Sequence, residues 1–170
     1  MKEMDTEEIE NLLTQVMVGG NMSSLRVSGE WVSLYFSACN VKDVTQVSID
    51  TNSWVFVEDE NKRIDCESID EADFFKARRD ILPKLYDLTG YDIESVSLVQ
   101  KKSLRILING RVIMVCPKLI KATDIDYYES WRIITSNENG DQWLIQLEAE
   151  DLLTNNRHPF VMSAPSASGK

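Results

Sequence analysis

The chain carries a single histidine, His158, next to Pro159 near its end. One imidazole removes most histidine-based nucleophilic schemes and every His-rich metal site. Glycine is scarce, at seven residues. None falls into Gly-x-Gly-x-x-Gly, Gly-x-x-x-x-Gly-Lys-Ser/Thr or Gly-x-Ser-x-Gly, so a dinucleotide cradle, a phosphate loop and a nucleophile elbow have no support. The three cysteines, Cys39, Cys66 and Cys116, are far apart and show no Cys-x-x-Cys spacing. They are expected to stay reduced, with Cys39 and Cys116 as small hydrophobes beside strands; neither a disulfide nor a zinc site is expected. No apolar run approaches the ~20 residues that cross a bilayer. The opening Met-Lys-Glu-Met-Asp-Thr-Glu-Glu lacks the basic and apolar regions of a signal peptide. The expected location is the cytoplasm, away from membranes.

Basic residues are also few in the first half. Residues 1–75 hold 16 acidic and 5 basic side chains, a net of −11, and residues 76–170 hold 12 and 13, a net of +1, which together give −10. Such an acidic half repels nucleic acid and steers a basic partner toward it, unless it serves solubility alone. The densest stretch comprises Glu58, Asp59, Glu60, Asp65, Glu67, Asp70, Glu71 and Asp73, opposed only by Lys62 and Arg63. These eight acids are the candidate protein-binding residues.

Several elements are legible in order. Asp5 and Glu8 have capping-box spacing, and Ile9, Leu12, Leu13 and Val16 then make an apolar helical stripe that Gly19-Gly20 ends. A hairpin follows, turning at Ser28-Gly29 between Leu25–Val27 and Trp31–Phe36. Val44–Ile49 and Trp54–Val57 read as further strands. Ser68 and Glu71 start a second helix through Phe74, Ile81, Leu82 and Leu85, which Pro83 should kink or divide before Gly90 stops it. Asn109-Gly110, between Ser103–Ile108 and Arg111–Cys116, is the clearest hairpin signal, because a type I′ turn needs positive φ at both central residues. Val112–Val115 is apolar at every position, the mark of a strand buried on both faces. Trp131–Thr135 and Trp143–Leu147 make a third hairpin, and Glu148–Leu153 reads as a short helix.

Gly19-x-x-Met22-x-x-Leu25-x-Val27 matches Gly90-x-x-Ile93-x-x-Val96-x-Leu98, and Val32-x-Leu34-x-Phe36 matches Leu104-x-Ile106-x-Ile108 after one extra turn residue. The expected fold is therefore α+β, a mainly antiparallel sheet built from a degenerate tandem repeat of helix–Gly–β-hairpin units, with the helices on one face. One half spans residues 1–67 and the other 68–154, packed as one globular unit. Residues 155–170 form a flexible tail too poor in apolar surface to order itself.

Chemistry is thinly supported. Asp124, Asp126 and Glu129 could share a divalent cation if they stood on one strand face, but their spacing supplies too few oxygen ligands, and a solvated loop is the simpler reading. Lys76, Arg78 and Arg79 read as a solvated helix face, and Lys101-Lys102 as a turn. A chain of pI ≈ 4.6 without a set of base-stacking aromatics is not a nucleic-acid binder. Trp31, Trp54, Trp131 and Trp143 are expected in the sheets, where an exposed one would anchor a partner. No cofactor is expected.

In size, acidity and its helix–Gly–hairpin opening from Leu12 to Phe36, the chain resembles the small acidic bacterial immunity proteins that neutralise toxins delivered between competing cells. The resemblance implies a non-enzymatic inhibitor whose 58–73 segment covers a basic surface, such as that of a toxin nuclease. Two readings from other classes stand beside it. One is a structural or regulatory subunit that oligomerises through sheet edges and tryptophans. The other is a metal-dependent enzyme using Asp124, Asp126 and Glu129.

Overall fold

The computed structural model describes residues 2–3, 5–37, 44–66, 74–117, 129–139, 141–148 and 151–154. In chain order the elements are β1 (Lys2–Glu3), α1 (Thr6–Met17), β2 (Asn21–Ser28), β3 (Trp31–Ser37), β4 (Gln46–Thr51), β5 (Trp54–Asp59), α2 (Phe74–Tyr86), β6 (Ile93–Val99), β7 (Ser103–Ile108), β8 (Arg111–Cys116), β9 (Glu129–Ser136), β10 (Gln142–Glu148) and β11 (Asp151–Thr154). The fold is α+β, and among the described residues every strand pairing is antiparallel. One sheet has seven strands, ordered β1-β11-β10-β9-β4-β3-β2; the other has four, ordered β5-β8-β7-β6.

Local chemistry sets the ends of the elements. Asp5 Oδ1 accepts the Glu8 N–H at 2.8 Å while the Glu8 carboxylate accepts the Asp5 N–H, which completes the capping box of α1. Asn109 and Gly110 take φ of 49° and 67°, as a type I′ hairpin between β7 and β8 requires. Gly20 is needed for space. A Cβ there would stand 2.6 Å from the Ser37 carbonyl oxygen and 2.9 Å from that of Met17.

The apolar patterns sort into two cores. The main one takes Ile9, Leu13 and Met17 of α1, Leu34 and Phe36 of β3, Ile49 of β4, and Trp131 and Ile133 of β9. Across from these lie Val55, Val57, Leu104, Ile106, Ile113 and Val115 of the small sheet. The opposite face of the small sheet forms a second core from Trp54, Val112, Met114 and Cys116, with Phe74 of α2. Residues 112–116 of β8 are therefore buried on both faces, as their unbroken apolar run implies. The apolar stripe of α1 lies wholly in the main core. Helix α2 straddles the two, with Ile81 and Leu85 in the main core and Phe74 in the second, and Leu88 of the turn after it joins the main core.

Strand exchange ties the first half of the chain to the second. β5 leaves β4 through Asn52-Ser53 and pairs with β8, while β9 returns to pair with β4. At the other end, Gly19 N–H donates to Ile93 O at 2.9 Å and Gly90 N–H donates to Met22 O at 2.7 Å. Met22 N–H donates to Tyr91 O at 3.0 Å and Ile93 N–H donates to Gly20 O at 2.8 Å. Asn21 faces Asp92, 71 residues on, across an isolated bridge. Both following strands carry an irregularity one step later, at Met22/Ser24 and at Ile93/Ser95.

Two expectations are corrected here. Asp151–Thr154 is a strand paired with β10 and β1, where the sequence suggested a helix across 148–153. Leu152 and Leu153 suit either state, and pairing with β10 decides it. Helix α2 runs on through Pro83 without dividing. The N–H that proline lacks would bond to the Arg79 carbonyl, and Arg79 and Pro83 both lie on the exposed side of the helix, where water can serve that carbonyl. Two more, on the cysteines and on Arg78, are described with the site below. The proposed helix start at Ser68 and Glu71 and the tail at 155–170 lie outside the described residues.

Candidate functional site

The acidic segment begins as β5 ends. Asp59 to Lys62 form a turn in which Lys62 N–H donates to Asp59 O at 2.9 Å, and Glu60 N–H reaches Gly110 O at 3.2 Å in the neighbouring hairpin. From there the chain doubles back over the outer face of the small sheet as far as Cys66. Between this return segment and the sheet lies a groove of about 640 Å³, within the range of small-ligand sites. Ile64, Val99, Val112 and Met114 supply its apolar surface. Lys62, Arg63, Arg105, Glu60 and Asp65 bring charge to it, and Asn61, Gln100 and Ser103 bring neutral hydrogen-bonding groups.

Of the eight predicted binding acids, four can be placed. Glu58, half-buried on β5, is ion-paired to Lys62 at 3.1 Å. Asp59 is paired to Arg111 at 3.2 Å, with its carboxylate 84% exposed. Such surface pairs add little stability, but they lower the local negative charge. Glu60 and Asp65 are exposed and line the groove. Glu67, Asp70, Glu71 and Asp73 lie outside the described residues, as do Asp124, Asp126 and His158. Glu129 opens β9, so the metal-site geometry has no placed set of ligands. Among the described residues, no group of three His, Cys, Asp or Glu side chains stands close enough to hold a metal ion.

The sequence reading placed Lys62 and Arg63 in the acidic segment but missed Arg105, which lies 40 residues beyond Asp65 and joins the groove only through sheet pairing. A signal existed. Alternation along β7 puts Ser103, Arg105 and Leu107 on the face opposite Leu104, Ile106 and Ile108, so Arg105 had to point away from the main core.

The reading of Lys76, Arg78 and Arg79 as a solvated face is corrected at its middle member. Arg78 is 6% exposed. It shares the apolar face of α2 with Phe74, Ile81 and Leu85, at helical spacings of four, three and four. Its Nη2 donates to Glu30 O at 3.1 Å and to Ser53 O at 2.6 Å, and its guanidinium lies 5.0 Å from the Phe74 ring centre. Ser53 in turn donates from its hydroxyl to Cys116 O and from its N–H to Thr51 Oγ1 at 3.0 Å. This buried network holds α2 where the chain crosses from one sheet to the other. Burial pushes the Arg78 pKa down to about 10, and the Glu30 carboxylate partly opposes the shift. The side chain thus stays cationic in both folded and unfolded states at neutral pH and gives stability no slope there. The depressed folded value makes stability rise with pH only from about 10 up to the ordinary guanidinium range. Arg78→Ala should cost about 2–4 kcal/mol in urea unfolding, because two carbonyls lose a charged donor. An unchanged unfolding midpoint would show that water replaces the guanidinium.

The cysteine expectation is also overturned for Cys66 and Cys116, while Cys39 lies outside the described residues. Cys66 and Cys116 form a disulfide across a separation of 50 residues. Spacing alone could not reveal the pair, because β5–β8 pairing and the return of the acidic segment bring the two residues together. Ser103 donates from its hydroxyl to Cys66 Sγ at 3.4 Å. Cys116 is fully buried, whereas Cys66 is half-buried and forms part of the groove wall.

Trp54 and Trp131 are buried as sheet residues. Trp31 is half-buried beneath Arg132, which is ion-paired to Asp50 at 3.1 Å. The side chain of Trp143 lies outside the described residues. No described helix is long and apolar enough to cross a membrane. Comparison with protein-family models, with curated proteins and with solved structures finds no match.

Proposed function

We propose that the chain is a non-enzymatic binding protein of the toxin-immunity type, which receives a basic protein at the acidic segment. The observation that carries this reading is the placement of exposed Glu60 and Asp65 beside an open groove with an apolar floor. Apolar anchoring with peripheral charge is how an interface combines affinity with fast, steered association. The basic partner would insert an apolar side chain toward Val112 and Met114 while its cations meet the acids of segment 58–73. A toxin nuclease, which is basic because it holds nucleic acid, fits that description. The location that goes with this reading is the cytoplasm.

Glu60→Lys with Asp65→Lys should slow association with the basic protein encoded beside this chain about tenfold. Both positions are exposed, so stability should stay within about 0.5 kcal/mol. Binding kinetics at low and physiological salt check this. An unchanged association rate, or no complex with the unaltered chain, would remove the reading.

The internal repeat belongs to the same proposal. The two Gly–Ile93 and Gly–Met22 exchanges, the facing of Asn21 and Asp92, and the matching irregularities in β2 and β6 support two copies related by a local twofold. In that reading each copy gives its fourth strand, β5 or β9, to the sheet of the other.

The alternative subunit reading draws support from one edge strand. β2 ends the large sheet, and Ser23, Ser24, Arg26, Val27 and Ser28 are all exposed, with Arg26 the single charge. Edges so lightly guarded accept another strand. A salt-insensitive homodimer in light scattering would favour this reading over charge-driven inhibition.

A further inference from the structure

The Cys66–Cys116 bond presents its two sulfurs very differently. Cys116 ends β8 with no exposed surface, whereas Cys66 opens onto the groove. A thiolate entering the groove therefore meets Cys66. The residues around it suit such a visitor. Lys62, Arg63 and Arg105 favour an anion, and thiol–disulfide exchange proceeds through the thiolate. Glu60 and Asp65 complement an ammonium group on the same molecule.

We propose that the groove is a thiol–disulfide exchange site for a small peptide thiol carrying carboxylates and an ammonium group. The incoming thiolate forms a bond to Cys66 Sγ, and the Cys66–Cys116 bond breaks. Cys116 leaves with the electron pair as a thiolate and takes a proton from water. The product is one mixed disulfide on Cys66 and one free thiol at Cys116, with no net oxidation. In a reducing compartment a disulfide of this kind is transient and responds to the thiol pool. Exchange also cuts the covalent tie between the acidic segment and β8.

The test uses the full chain purified without reductant. It is treated with reduced glutathione, quenched with acid, alkylated and mapped by mass spectrometry. The expected product carries one glutathione on Cys66 and an alkyl group on Cys116. Arg105→Gln should slow this reaction about threefold to fivefold, the worth of one partly exposed ion pair, and Arg105→Lys should restore most of the rate. The same variants should slow exchange with 2-mercaptoethanol less, because its attacking thiolate carries one negative charge and no carboxylate. The unaltered chain supplies an independent measure, since added salt should slow glutathione more than 2-mercaptoethanol. Alkylation of all three cysteines before any thiol is added would overturn the proposal. So would glutathione on Cys116, or equal responses of the two thiols to salt and to Arg105→Gln, because general opening of the fold does not distinguish charge.

Discussion

Trp131→Ala is expected to lower the unfolding free energy by about 3–5 kcal/mol, the usual cost of deleting a large aromatic from a packed interior. Trp131 has no exposed surface and sits on β9, where it pairs with Thr51 of β4, with Val32 of β3 next in the same row. Its indole Nε1–H donates to Lys102 O at 2.9 Å, in the turn joining β6 to β7. The side chain therefore spans from the large sheet to the small one and supplies both bulk and a polar tie. Alanine leaves a cavity and removes that hydrogen bond. Trp131→Phe keeps most of the volume and should cost about 1–2 kcal/mol less than that, separating packing from the hydrogen bond. Urea unfolding by circular dichroism measures both. Near-equal losses for Ala and Phe would place the energy in the indole N–H, and losses under 1 kcal/mol for both would show that the sheets dock without it.

Patterns of short period and the pairings within hairpins were legible, and pairings between distant strands were not. The box at Asp5 and Glu8, the turn at Asn109-Gly110 and the doubly buried β8 follow from residues within a few positions of each other, where side-chain periodicity acts. Arg78 was misplaced because charge was weighed before position; its spacing from Phe74, Ile81 and Leu85 already put it on the apolar face. Asp151–Thr154 became a strand because β10 offered it a partner, a tertiary effect that local composition does not carry. The candidate site was half visible. Glu60 and Asp65 announce themselves as part of an acidic run, whereas Arg105, Val112 and Met114 join them only when β8 pairs with both β5 and β7. The disulfide was hidden for the same reason, and it changes what the acidic segment is. Its middle is held by a covalent tie to the small sheet.

Opening that tie by reduction is expected to lower the unfolding free energy by about 4 kcal/mol, taking the loop-entropy relation for a separation of 50 residues. The effect lies mainly in the unfolded chain, which the bond keeps compact, so the oxidised protein should also show the smaller dependence on urea concentration. Comparing oxidised and reduced forms of one sequence avoids the cavity that replacing buried Cys116 would add, and a Cys66→Ser chain serves as a control that reductant must not alter. Equal midpoints for the two forms would show that the bond does not constrain the unfolded state. The folded reduced protein should remain intact in its main core, because Leu34, Phe36, Ile49, Trp131 and Ile133 pack on the far side of the small sheet from the cysteines. Hydrogen exchange should therefore quicken around residues 60–66 and stay slow in β3, β4 and β9. Faster exchange in all of them would mean that the disulfide holds the sheets together, and the acidic segment could not then be released on its own.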